Sequence, residues 1–218
     1  MSRLLWQPQA KQAEFLCRFE DEALYGGAAG GGKSDALVIE ALRQVDIPWY
    51  RALILRKTVP QLTELIDKSR RYYAAFPQAK YSESGRFWTF PSGARIFFGS
   101  MQHPRDRFRY QGLAYDYIAF DELTHFSWEE YSYMFSRNRA SGPGTRVYIR
   151  ATANPGGVGH NWVKARFITA GAPGETVWEE FSITSPEGVQ KRRRSRIFIP
   201  STVFDNDALL KNDPDYLK

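Results

Sequence analysis

Apolar residues along this chain follow two rhythms. From Pro8 to Phe19 they recur at helical spacing (Phe15, Leu16, Phe19), and from Lys33 to Val45 they set Leu37, Val38, Ala41, Leu42 and Val45 on one face. Val59 to Phe76 repeats the pattern with Leu62, Leu65, Ile66 and Tyr73 inward, and Pro77 closes it. Between these helices lie apolar runs too short to be helical: Glu22 to Tyr25, Ala52 to Leu55, Tyr117 to Phe120 and Arg146 to Ala151. They read as buried strands. Phe87 to Phe90 and Arg95 to Phe98, joined by Pro91-Ser92-Gly93, predict a hairpin, and Ser127 caps a helix running to about Arg137. Strands alternating with helices predict an α/β fold, with a mostly parallel central sheet and helices on both faces. No internal repeat interrupts this order.

Composition narrows the class. With 218 residues, 43% of them hydrophobic and 25% charged, the chain is expected to form one domain with a sizeable core. Cys17 is alone and His103, His125 and His160 are scattered, which leaves no disulfide framework and no zinc-ligand spacing. No apolar run reaches the roughly 18 residues of a spanning helix, and MSRLLWQPQAKQ lacks the apolar stretch of a signal peptide. The expectation is a soluble intracellular protein without a membrane partner. A net charge of +6 makes a polyanion partner plausible. The densest basic run, Lys191, Arg192, Arg193, Arg194 and Arg196, either faces DNA or forms a solvated hairpin tip. Asp213-Pro214 starts a helix four residues before the chain ends, so the chain is expected to be cut at a domain boundary.

The candidate chemistry begins at Gly27-Ala28-Ala29-Gly30-Gly31-Gly32-Lys33-Ser34, which fits G-x-x-x-x-G-K-[ST] between an expected strand and helix. Such a loop curls its N–H groups around phosphates, Lys33 reaches the β- and γ-phosphates, and the Ser34 hydroxyl is placed for Mg²⁺. Asp121-Glu122 ends the Tyr117 to Phe120 strand at the side where parallel sheets bind ligands. There Asp121 can hold the metal and Glu122 can polarise a water, which implies hydrolysis of ATP. Asn154, at the end of the next strand, either senses the γ-phosphate or belongs to an Asn-Pro turn. Gln12 on the first helix either reads adenine through its amide or is solvated.

QAEFL, YGGAAGGGKS, LILRKT, QGLAYDYIAFDELTHF, ATANPGG followed by GHNWVKARF, and DNDALLKNDPDYL resemble, in this order, the ATPase half of the large terminase subunit of tailed bacteriophages. The resemblance implies a RecA-like P-loop fold of the class with an extra strand between the phosphate-loop and Asp-Glu strands, which carries a catalytic glutamate. It implies a motor that drives double-stranded DNA into a preformed procapsid in the host cytoplasm. Its implied partners are the portal protein, the small terminase subunit and further copies in a ring. Residues 1–205 would be the ATPase domain and 206–218 the start of a linker toward a nuclease domain. Gln12 would read adenine, Lys33 and Ser34 contact phosphate and metal, Asp121 and Glu122 serve as metal and catalytic carboxylates, and Thr152-Ala153-Asn154 couple hydrolysis to movement. One position departs from the pattern. Where relatives carry an arginine finger this chain has Gln111, so Arg109 is the expected substitute, with Arg105, Arg107 and Arg139 behind it. The competing readings are a helicase-like ATPase and a nucleotide-gated DNA scaffold. Glu122 argues against the scaffold, because storage has no use for a carboxylate beside the metal.

Overall fold

The computed structural model describes residues 6–27, 32–186, 188–205 and Lys211. Ala28, Ala29, Gly30 and Gly31 of the loop, and the expected helix start at Asp213-Pro214, lie outside the described residues. The chain opens with α1 (Ala10–Leu16), β1 (Glu22–Gly27), α2 (Lys33–Glu40), β2 (Arg51–Arg56) and α3 (Val59–Tyr73). Then follow β3 (Lys80–Ser82), β4 (Phe87–Thr89), β5 (Arg95–Ser100), β6 (Tyr117–Phe120) and α4 (Trp128–Tyr133). It closes with β7 (Tyr148–Ala153), α5 (His160–Val163), β8 (Val177–Ser185) and β9 (Gly188–Ser201).

One sheet of order β3-β4-β5-β2-β6-β7-β1-β9-β8 joins all the strands. The six central strands, β5 to β9 in that order, are mutually parallel, and an antiparallel hairpin flanks each side. β7 is inserted between β1 and β6, as the resemblance implies. Alternation along β6 sends Tyr117 and Ala119 into one core with α2 and α3, and Ile118 and Phe120 into the other with α4 and α5. Both faces are therefore covered, which is why these strands read as continuous apolar runs.

The expected Lys33 to Val45 helix is shorter, because its α-helical part stops at Glu40 and a 3-10 turn covers Ala41–Gln44. Buried tyrosines hold this end. The hydroxyls of Tyr117, Tyr73 and Tyr50 donate to the carbonyls of Leu37, Val38 and Ala41 at 3.1, 2.6 and 3.0 Å. A carbonyl has two lone pairs, so these bonds use acceptor capacity in the last turns of the helix, the Leu37 carbonyl also accepting the Ala41 N–H. Burial pushes all three hydroxyl pKa values well up, so they remain donors at ordinary pH. This fastens the C-terminal end of α2, whose N-terminal residue is Lys33.

The basic run at Lys191 to Arg196 is a strand rather than a hairpin tip, pairing with β8 from Val177–Arg196 to Ser185–Gly188. Position along the strand divides its charges. Nearest the core, Arg196 meets Glu179 at 2.7 Å and Arg194 lies over the Phe135 ring at 4.7 Å, whereas Lys191, Arg192 and Arg193, farther out, are exposed.

Candidate functional site

Strands β1, β6, β7 and β2 all present their C-terminal ends along one edge of the sheet. β1 runs out at Gly27, whose φ is 142° and where a β-carbon would fall 1.7 Å from the Ser201 carbonyl oxygen. Only glycine fits there. The chain re-emerges at Gly32, left-handed at φ 64°, directly before Lys33 opens α2. Lys33 is 6% exposed, and burial holds its ammonium below its usual pKa, an effect opposed by the charge of Glu122. Gln12 is buried as well. Its side-chain N–H donates to the Gly32 carbonyl at 2.8 Å and its oxygen accepts the Gln9 N–H at 2.9 Å, which ties α1 to the loop's last glycine.

Asp121 is fully buried and collects three donors. The Ser34 hydroxyl reaches its two oxygens at 3.0 and 3.1 Å, the Thr152 hydroxyl donates to Oδ1 at 2.6 Å, and the Arg56 guanidinium pairs with Oδ2. Glu122 follows in the left-handed region at φ 59°, a conformation that costs a residue with a β-carbon about 1–2 kcal/mol. The turn swings its carboxylate to Asn154, whose backbone and side-chain N–H groups donate to Oε2 and Oε1 at 3.1 and 2.5 Å. Thr152 also accepts the Glu122 N–H at 3.1 Å. The loop after Asn154 is locked to the loop after Glu122, since the Thr124 hydroxyl donates to the Asn154 carbonyl and the Gly159 N–H to the Thr124 carbonyl.

Ser34, Lys33, Asp121, Glu122 and Asn154 thus meet at one edge, with Gln12 against the same loop. Arg56 was not singled out from the sequence. A cation directly after an apolar strand normally reads as solvated, and only the pairing of β2 with β6 puts it on Asp121. Arg109 stands apart. It lies in the 3-10 helix Pro104–Tyr110 that follows β5, which is four strands from β1 and so roughly 19 Å away across the sheet. Its side chain is 69% exposed and, among the described residues, pairs only with Asp106, at 3.2 Å. Of the reserves, Arg107 is taken by Glu129, Arg105 is exposed, and Arg139 sits with the N-terminal strand ends at the opposite edge.

Hard oxygen donors from Ser34 and Asp121, brought together beside a phosphate-loop lysine, fit Mg²⁺, which takes one or two protein oxygens and completes its shell with phosphate and water. The Asn154 Oδ1 atom, buried and without a hydrogen-bond partner among the described residues, offers an acceptor beside Glu122.

The large terminase of a thermophilic bacteriophage superimposes with a TM-score of 0.68 at 17% identity, over 94% of this chain and 48% of that one. The large terminase ATPase domain of Thermus phage P74-26 gives 0.62 at 14% identity, covering 95% and 86%. The HK97 bacteriophage large terminase gives 0.54 at 12%, covering 68% and 33%. The shared fold is the RecA-like one of terminase ATPase domains, and this chain spans about half the length of the first of these proteins. No curated protein matches the chain. A family match, described as terminase large subunit, T4likevirus-type, N-terminal, covers residues 24–218. Because that match runs from within β1 to the last residue, the chain belongs to the N-terminal family of T4likevirus-type terminase large subunits.

Proposed function

We propose that this chain is the ATP-hydrolysing motor domain that drives double-stranded viral DNA into a preformed procapsid, working in the host cytoplasm. The observation that carries the reading is the convergence of Ser34 on Asp121 and of Asn154 on Glu122 directly beside Lys33. A large terminase of the same fold was solved with ADP, which supports nucleotide as the ligand. Lys33 and the α2 N-terminus neutralise the β- and γ-phosphates, and Gln12, bound to the loop's last glycine, is the candidate for contact with the base. Mg²⁺ held through Ser34 and Asp121 would bridge phosphate oxygens and offset developing charge. Glu122 orients the attacking water once Asn154 releases one of its two carboxylate oxygens, so Asn154 couples the state of the site to the loop behind it.

Arg109, exposed and well separated from its own site, is assigned to a neighbour's site in a homo-oligomeric ring. Portal protein and small terminase subunit are the further partners of this reading. Residues 1–205 form the motor domain, and 206–218 begin the linker toward a nuclease domain.

Phosphate release with and without linear duplex DNA tests the proposal. Lys33→Ala is expected to weaken ATP binding and abolish turnover, whereas Glu122→Gln is expected to bind ATP as the parent does and lose roughly 10²–10⁴-fold in rate. Normal turnover by Glu122→Gln overturns the assignment of the Asp-Glu pair.

A further inference from the structure

At the edge opposite the nucleotide site, the N-terminal ends of β2 and β5 and the loop before β7 enclose an open cleft of about 550 Å³ lined by Arg51, Arg95 and Arg139. Arg51 and Arg95 are register partners on adjacent parallel strands, so both leave the same face of the sheet. Their guanidiniums lie over Phe97 and Phe87 at 5.6 and 5.2 Å, and those two rings pack on each other at 5.2 Å. Stacking orients each planar fork and leaves its N–H edge available without neutralising the charge. Arg139 gives one N–H to the Gly112 carbonyl at 3.3 Å.

Among the described residues none of these three arginines has a carboxylate partner, whereas Arg56 at the nucleotide edge and the inner β9 arginines do. Asp116, directly before β6, is fully buried, and its two oxygens accept the backbone N–H groups of Arg51 and Ser141 at 2.9 and 2.8 Å, so it is committed to the backbone. Three oriented cations therefore line the cleft. Bidentate guanidinium forks match phosphate. The positive charge also continues along the same face of β2 and β5, where Arg86 lines the next hollow with Leu53 and Phe97. A row of cations along a face suits a polyanion better than a single small anion.

We propose that this cleft is a second phosphate-binding site, one that holds the sugar-phosphate backbone of duplex DNA at the sheet edge opposite ATP. The assignment rests on the reading of the chain as a DNA-translocating ATPase. It is tested by anisotropy titrations of the whole chain with a labelled linear duplex over a series of salt concentrations. Each phosphate contact contributes about 0.9 to the log–log slope, so R95A/R139A is expected to flatten that slope by about two units while nucleotide binding and melting stay as in the parent. R95K/R139K, which keeps the charges and loses the forks, is expected to keep the slope and bind more weakly. An unchanged slope for R95A/R139A, with duplex still bound, overturns the cleft assignment and leaves the motor reading standing. Polyglutamate displacing duplex from the parent at equal charge concentration points to an acidic protein partner and overturns it as well. A parent chain that binds no duplex at low salt overturns both the cleft and the DNA half of the proposed function.

Discussion

The C-terminal edge of the central sheet and the β2–β5 stretch of its N-terminal edge share a strand and treat charge in opposite ways. At the C-terminal edge every side-chain charge next to the reaction is held by a neighbour: Asp121 by Ser34, Thr152 and Arg56, and Glu122 by Asn154. Along the β2–β5 stretch Arg51, Arg95 and Arg139 are oriented by aromatic rings and a carbonyl and have no carboxylate partner among the described residues. β2 touches both, with Arg51 at its start and Arg56 at its end. The first edge suits chemistry that needs atoms fixed to fractions of an ångström. The second suits a ligand recognised by charge, which tolerates sliding.

This contrast breaks or sharpens under substitution. The largest effect is expected at Arg109. If it completes a neighbour's site, Arg109→Ala binds ATP normally, loses roughly 10³-fold in turnover when assembled, and recovers part of it when mixed with Glu122→Gln. Each protein alone has broken sites, whereas an interface between one subunit's intact Glu122 and the next subunit's intact Arg109 is whole. Co-assembled mixtures with no recovery exclude Arg109 from acting in trans. Next comes Arg56→Ala, which leaves the buried Asp121 carboxylate without its cation and is expected to destabilise the metal-free protein by about 3–5 kcal/mol. Urea melts with and without Mg²⁺ and ADP read this, and the loss should shrink when they are present. Thr152→Val removes the hydroxyl shared by Asp121 and the Glu122 N–H, for an expected cost of about 1–3 kcal/mol in the same melts. Arg95→Ala, on the open edge, is expected to change stability by no more than about 0.5 kcal/mol. A loss at Arg95 as large as that at Thr152 would mean that both edges are paired alike.

Much of the site was legible because it is local in the chain. A loop whose glycines must curl around phosphate writes its own signature before Lys33-Ser34, and an apolar run ending in Asp121-Glu122 marks a strand end in a parallel sheet. Ser127 as a helix cap is equally local, and its hydroxyl accepts the Glu130 N–H at 3.2 Å. The outer part of the β8–β9 ribbon escaped the reading because it has no buried apolar face: Trp178, Phe181, Ile183 and Val189 remain exposed, and only the end of β9 at Ile197, Phe198 and Ile199 enters the core. The end of α2 escaped as well, since the tyrosines that take up its carbonyls come from the loop before β2, from α3 and from β6.

What the sequence determined by itself was the alternation that makes a parallel α/β sheet, the phosphate loop, and the two acids at one strand end, all of them patterns that lie within a few residues of each other. The entry of β7 between β1 and β6 was implied by the family resemblance, but tertiary structure alone decided that Asn154 there meets Glu122 and Thr152 meets Asp121. It also decided which cations are paired. Arg56 and Arg51 are five residues apart on one strand, and one is neutralised while the other is not, because strand order and register set what lies beside each end.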